Sequence, residues 1–189
     1  MQGTGWIAGK SIVVTNAHVV AGQKHTSVEL RDGSRHAAEA IRYEPRNDLA
    51  VLRLRGVASG GVRSLKFGLG APSGTSAAIL GYPNGGPYRV VAGRIGPTQT
   101  VLSQDSYGRG PFRRPVTALR GRVRHGDSGG PIVDGSGRVV ATTFLSTVAG
   151  SHRRRTMLGG VSGFGVPTTV ARKALARAEG RVGTGPCSR

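Results

Sequence analysis

The chain has 189 residues, a formal net charge of +18 from 27 Lys or Arg against 9 Asp or Glu, and one cysteine, Cys187. That length bounds it to one ordinary domain or two small cores packed together. A single cysteine excludes an internal disulfide and a cysteine-built zinc site, and the lack of a long apolar run or a charged-then-apolar leader leaves nothing expected to span a membrane or direct export.

In chain order, short apolar runs alternate with Gly, Pro, Asn and Asp. Gly3-Thr4-Gly5-Trp6-Ile7 and Ile12-Val13-Val14-Thr15 read as strands. Val28-Glu29-Leu30 follows, closed by the turn Arg31-Asp32-Gly33-Ser34, and then Leu49 to Leu54. Gly56 to Gly61 and Gly68 to Gly74 are candidate linkers. Ala77 to Gly81 and Arg89 to Ile95 are two further strands, and Gln104 to Pro115 reads as an exposed, mobile loop. Ile132-Val133 and Arg138 to Ala141, joined by Asp134-Gly135-Ser136-Gly137, predict a hairpin. One segment predicts a helix: it starts at Pro167-Thr168-Thr169, runs through Val170 to Ala178, and stops at Gly180. Many strands, 32 glycines and one terminal helix point to an all-β barrel or sandwich class.

Three strings carry chemistry. In Thr15-Asn16-Ala17-His18 a histidine closes an apolar strand, and imidazole is the side chain that exchanges a proton near neutral pH. In Asn47-Asp48-Leu49-Ala50-Val51-Leu52 an aspartate stands at the mouth of an apolar strand, where a half-buried carboxylate needs a partner. Taken singly, His18 also fits a satisfied edge histidine and Asp48 a turn residue. The third string, Gly126-Asp127-Ser128-Gly129-Gly130-Pro131, is harder to read as a plain turn. Its glycines let backbone N–H groups converge beside a serine, which needs a base before it becomes a nucleophile.

Together these strings, in the order His18, Asp48, Ser128, resemble the trypsin-like serine protease family. The resemblance implies two packed six-stranded antiparallel β-barrels of chymotrypsin type with a C-terminal helix. Residues 1–68 would form the first barrel, 69–167 the second, and 168–189 the helix and tail. It also implies that His18, Asp48 and Ser128 form a catalytic triad, and that the backbone of Gly126, Asp127 and Ser128 forms an oxyanion hole. The substrate pocket would be walled by segments around Phe144 and around Ser162 and Gly163. No metal or organic cofactor is expected.

The flavour is that of HtrA-type bacterial proteases. Leu80-Gly81-Tyr82-Pro83-Asn84-Gly85-Gly86-Pro87 and the ending Gly185-Pro186-Cys187 resemble more closely the membrane-anchored acid-resistance proteases of actinobacteria. That resemblance implies an extracytoplasmic location, an upstream membrane segment outside this sequence, and a disulfide from Cys187 to an upstream cysteine. The expected partner is a protein or peptide substrate, cut after small or apolar residues, since no acidic residue stands at the expected pocket base and Arg122 and Arg124 lie close by. The chain lacks the Ile-Val-Gly-Gly start by which digestive members organise the residue at Asp127.

Three near-matches fail on context. Gly3 to Ser11 almost spells a phosphate-binding loop, but Thr4 stands where Gly is needed and a strand follows where a helix is required. Gly126 to Gly130 fits a nucleophile elbow, but Pro131 follows it and the His and Asp precede it in the chain. His152 falls in a run of arginines and reads as a solvated loop residue. The rival class is a basic protease-fold protein that binds peptides or polyanions without cutting. The charge favours it, but the arginines are dispersed and aromatics are only 5%, leaving little for base stacking, so no specific nucleic acid is expected.

Overall fold

The computed structural model describes residues 2–57, 62–144 and 163–187. Eleven strands and two helices are assigned among these: β1 Trp6–Gly9, β2 Ile12–Thr15, α1 Ala17–Val20, β3 Thr26–Glu29, β4 Arg35–Glu44, β5 Leu49–Leu54, β6 Ser76–Gly81, β7 Arg89–Ser103, β8 Phe112–Gly121, β9 Pro131–Asp134, β10 Val139–Phe144, β11 Gly163–Pro167 and α2 Thr168–Ala176. They form two antiparallel systems. The first is a five-stranded sheet in the order β1-β2-β5-β4-β3, and the second is a closed barrel β10-β11-β8-β7-β6-β9.

The all-β expectation of two packed antiparallel units is met, but the first unit is a five-stranded sheet rather than a closed six-stranded barrel. The first half has five strands among the described residues, where six were expected. The segment after β5 runs along β1 through a bond from the Leu65 N–H to the Ile7 carbonyl (2.9 Å), yet it does not continue as a strand. The second half is the expected six-stranded barrel.

Period-two alternation decides where each strand points its residues. On β5, Leu49 and Val51 join the core between the two sheets, while Ala50, Leu52 and Leu54 join the core inside the first sheet. β5 is therefore buried on both faces, which is why it reads as an unbroken apolar run. β10 is also buried on both faces, but a register shift between Val139 and Ala141 breaks its alternation: Val139 and Phe144 join the shared core, and Val140 and Ala141 join the interior of the second barrel with Ile79, Ile95, Leu119 and Ile132. Trp6 ties the halves together, its ring 5.0 Å from Phe67 and its indole N–H donating to the Thr142 hydroxyl at 3.1 Å.

Some elements differ from the sequence reading. β7 runs on past Ile95 to Ser103, with a register shift between Ile95 and Thr98. Pro97 falls inside that bulge, where its missing N–H breaks no ladder bond. β8 begins at Phe112, so the loop expected over Gln104 to Pro115 is shorter. It is also tied down rather than loose: the Asp105 carboxylate accepts the backbone N–H groups of Tyr107 and Arg109 at 2.8 and 2.9 Å. The Ser106 N–H crosses to the Pro45 carbonyl of the first half at 3.1 Å.

The predicted terminal helix is α2, which packs Thr168, Ala171 and Ala174 inward. The tail after it crosses back over the first sheet, with Val182 donating to Ala40 at 2.8 Å.

Candidate active site

Asp48 follows a single 3-10 turn, Pro45–Asn47, and takes a left-handed conformation (φ 52°, ψ 51°). Asp is one of the few residues that tolerates this region, and such strain is common at functional positions. The turn swings the carboxylate off the end of β5 toward α1. There the imidazole Nδ1 of His18 lies 2.8 Å from Oδ2 and 3.0 Å from Oδ1 of Asp48, and the His18 backbone N–H donates to Oδ1 at 3.0 Å. Asn16 completes the clamp, its Nδ2 donating to the Asp48 carbonyl at 2.8 Å. Asp48 is buried and His18 is partly exposed, so the imidazole edge opposite the carboxylate is the one that reaches the cleft.

The short helix α1 that carries His18 was not expected from the sequence, because four residues are too few to show a period. The role of Asn16 was likewise unread, although the residue lies inside the quoted motif.

Ser128 is buried and lies on the turn that enters β9. The next residue, Gly129, has φ +87°, and a side chain there would strike the Thr4 carbonyl, the Thr15 hydroxyl and the Asn16 N–H. Gly3 is wedged between Val19 and the Ser128 carbonyl. The serine loop is thus seated against the residues that flank His18 on both sides, and the two halves converge there.

The backbone around the serine is fixed by bonds from three elements. Thr4 donates through its hydroxyl to the Gly126 carbonyl (2.6 Å) and through its N–H to the Ser128 carbonyl (2.8 Å). The Asn84 N–H holds the His125 carbonyl at 2.7 Å. Because the peptide group is planar and trans, that bond turns the Gly126 N–H to the opposite side. Gly126 itself has φ +91°, with no room for a side chain against Tyr82 and Asn84.

The Asp127 N–H donates to the Arg124 carbonyl at 3.1 Å, closing the turn ahead of Ser128. Its carboxylate accepts the Arg124 N–H at 2.9 Å, a bond within the same turn. Burial pushes the Asp127 carboxyl above the usual range, against the smaller opposing effects of the Arg124 N–H and charge. A small cavity of about 110 Å³ beside it is lined by Pro83, Val91 and three arginines, Arg89, Arg122 and Arg124.

Of the residues expected to wall the substrate pocket, Phe144 has its ring in the shared core, stacked on Phe164 at 5.9 Å. Gly163 pairs with Leu119 and abuts Val123. Ser162 lies outside the described residues, as do Leu145 and His152.

A buried arginine that the sequence did not flag stands behind Phe144. The guanidinium of Arg114 lies 4.8 Å from the Phe144 ring centre and donates through Nη2 to Ser103 at 3.0 Å, while Nε and Nη1 have no hydrogen-bond partner among the described residues. Burial pulls its pKa down, and the nearby carboxylates of Asp48 and Asp105 oppose that shift.

The trypsin-like peptidase domain family matches residues 3–141. Serine protease Rv3671c of Mycobacterium tuberculosis is 33% identical over 150 residues, covering 78% of this chain and 37% of that protein. A probable periplasmic DegP-like serine endoprotease of a Marinomonas strain is 30% identical over 177 residues, covering 89% of this chain and 34% of that protein. The chain therefore spans about a third of the length of the curated relatives it matches. Among solved structures, the active form of the Rv3671c protease superposes with a TM-score of 0.86 at 31% identity, covering 99% of this chain and 78% of that one. The HtrA-type protease AlgW with a decapeptide gives 0.75 at 26% identity, covering 92% and 50%. Agreement in family match, identity and fold joins the paired His18 and Asp48 and the glycine-bounded Ser128 loop in one conclusion: the chain belongs to the trypsin-like serine peptidases.

Proposed function

We propose that the chain is a serine endopeptidase whose catalytic triad is Ser128, His18 and Asp48. The observation that carries the reading is the carboxylate of Asp48 gripping both the Nδ1 and the backbone N–H of His18. That grip fixes the tautomer with Nδ1 protonated, so Nε2 is the basic nitrogen.

His18 Nε2 takes the proton of the Ser128 hydroxyl as Ser128 Oγ attacks the peptide carbonyl. It then gives that proton to the departing amine, leaving an acyl-serine. Water repeats the cycle and frees the carboxylic acid. Asp48 stays ionised throughout and stabilises the imidazolium.

The N–H groups of Gly126 and Ser128, on the turn organised by Asp127, hold the oxygen that becomes negative. One such donor is worth about 2.7–4 kcal/mol in the barrier. The backbone of Phe144 and the Ser162–Gly163 segment line the bound peptide. The arginines around Asp127 favour small or apolar side chains over Lys or Arg at the cut.

We further read residues 1–68 and 69–167 as the two barrel units, with 168–189 as helix and tail. An extracytoplasmic location is supported by the periplasmic naming of the DegP-like relative, and a role in stress or acid resistance there is part of the same proposal. Among the described residues no helix is long and apolar enough to cross a membrane. The proposed anchor is an upstream segment outside this sequence. Cys187 is exposed, as a disulfide to such a segment requires.

A fluorophosphonate probe tests the enzyme reading. Labelling of the wild type that disappears in Ser128→Ala is expected. An unlabelled wild type would instead favour a protease-fold peptide or polyanion binder.

A further inference from the structure

A groove of about 620 Å³ opens beside the 3-10 turn that carries Asp48, a volume within the range of ligand clefts (~300–1,000 Å³). Four arginines line it: Arg42 from β4, Arg46 from the turn, Arg109 from the β7–β8 loop and Arg177 from the end of α2. Two acids share it, and both are already engaged. Glu44 binds Arg42 at 2.7 Å and Asn47 at 3.1 Å. Asp105 binds Arg109 at 3.2 Å and two backbone N–H groups.

Arg46 and Arg177 are exposed, and neither has a carboxylate partner among the described residues. Arg46 instead lies 4.6 Å over the ring of Phe112, which with Pro45 gives the groove an apolar floor. Four cations against two satisfied anions leave a formal excess of two positive charges.

We propose that this groove is an exosite for an acidic segment of the polypeptide substrate, lying outside the residues around the scissile bond. The inference rests on the protease reading above. Three features favour a peptide. Guanidinium forks match carboxylates in geometry. Phe112 and Pro45 offer apolar surface to the stems of Glu side chains and to peptide backbone, which a bare phosphate chain would not use. The wall of the groove is the turn Pro45–Asn47 itself, so a chain held there adjoins the strand end that carries Asp48. Tethering at such a site raises the local concentration of the scissile bond.

The test uses two fluorogenic peptides with one cleavable segment, extended by either a Glu-rich or a Gln-rich stretch. The wild-type chain should favour the Glu peptide in kcat/KM by about tenfold at low salt, as several exposed ion pairs acting together would give. The preference should fade at high ionic strength, where exposed pairs are screened. It should drop to near parity in Arg46→Gln/Arg177→Gln and to an intermediate value in Arg46→Lys/Arg177→Lys, which keeps the charge but not the fork. Equal turnover of the two peptides by the wild type overturns the proposal. So does a preference that persists in the Gln pair.

Anisotropy of the labelled Glu-rich stretch alone, bound to the same proteins, gives a readout independent of hydrolysis. Binding lost in the Gln pair supports the groove even if neither peptide is cut, in which case it is the protease reading that fails. Failure of the Glu stretch to bind, with polyphosphate binding in its place through the same arginines, overturns the peptide occupant.

Discussion

The hydroxyl of Thr4 donates to the carbonyl of Gly126 at 2.6 Å across 122 positions of sequence. The same oxygen accepts the Tyr82 N–H at 3.1 Å, and the Thr4 N–H holds the Ser128 carbonyl at 2.8 Å. One buried residue ahead of the first strand thus clamps both ends of the three-residue stretch proposed to hold the oxyanion. Thr4→Val keeps the shape and strands two part-buried backbone groups, which costs about 1 kcal/mol, the low end for an unsatisfied buried group. Urea unfolding should show that loss. Steady-state kinetics should show kcat falling while KM changes little, because donor alignment matters most in the transition state. An unchanged urea midpoint would mean that the clamp carries no weight.

Asp48→Asn tests the other half of the site. The amide can fill the same space, but it can present its NH2 to His18 Nδ1 and reverse the tautomer. A fall in kcat of about 10⁴-fold is expected, the size seen for the equivalent change in the family's template enzyme. The melting temperature should move by only a few degrees, since the turn and the Asn16 bond to the Asp48 carbonyl persist. Retention of more than a tenth of wild-type kcat would remove Asp48 from the mechanism.

Gly129→Ala should be far more damaging than most glycine changes. The position has φ +87°, and the new methyl would meet Thr4, Thr15 and Asn16 at once. Backbone strain alone costs about 1–3 kcal/mol, and the clash adds to it. Gly135→Ala provides the control, because nothing lies within 4 Å of its added Cβ and its φ is ordinary. Thermal melts should separate the two by many degrees; similar melts would contradict the packing at Gly129.

The fold class was legible because β5, β6 and β9 are short apolar runs bounded by turn residues. β4 and β8 were not. β4 is rich in Ala, Glu and Arg and half exposed, so it has neither a clean alternation nor a continuous run. Its strand state comes from pairing with β5 on one side and β3 on the other, information that is nonlocal. β8 opens with Phe112, two arginines and a proline, which locally spell a loop, and its pairing with β7 overrides them. Of the proposed site, the strings that chemistry would fix, at His18, Asp48 and Ser128, stand out in the sequence, and the structure pairs His18 with Asp48. Thr4, Asn84 and Arg114 act through backbone bonds or burial, and no local pattern marks them.

Arg114 offers a prediction about stability. A buried guanidinium with two N–H-bearing nitrogens unpaired is costly, and hydrophobic replacements of buried charges are often neutral or stabilising. Arg114→Met keeps much of the contact with Phe144 and should raise stability by about 1–2 kcal/mol. Chemical denaturation measures this directly. A loss of stability instead would mean that attraction to Asp48 and Asp105 outweighs the missing bonds.

Asp127 contributes its own pH dependence to stability, opposite in sign to that of Asp32, Asp105 and Asp134, whose carboxyls are held below the ordinary value. Burial raises its carboxyl above the ordinary 3.8, so the folded chain holds that proton more tightly than the unfolded chain does. Folding is therefore favoured by this group below the unfolded value, and the advantage is lost as pH rises through the folded value. Asp127→Asn cannot titrate and still offers an oxygen to the Arg124 N–H. The stability of wild type relative to this variant should increase on acidification from neutral pH to below 3.8, with the change concentrated just above the ordinary carboxylate range. Denaturation of both proteins across that range decides the matter. Parallel curves would mean that the carboxyl is solvated rather than buried, and a difference that shrinks on acidification would mean that the Arg124 contacts dominate over burial.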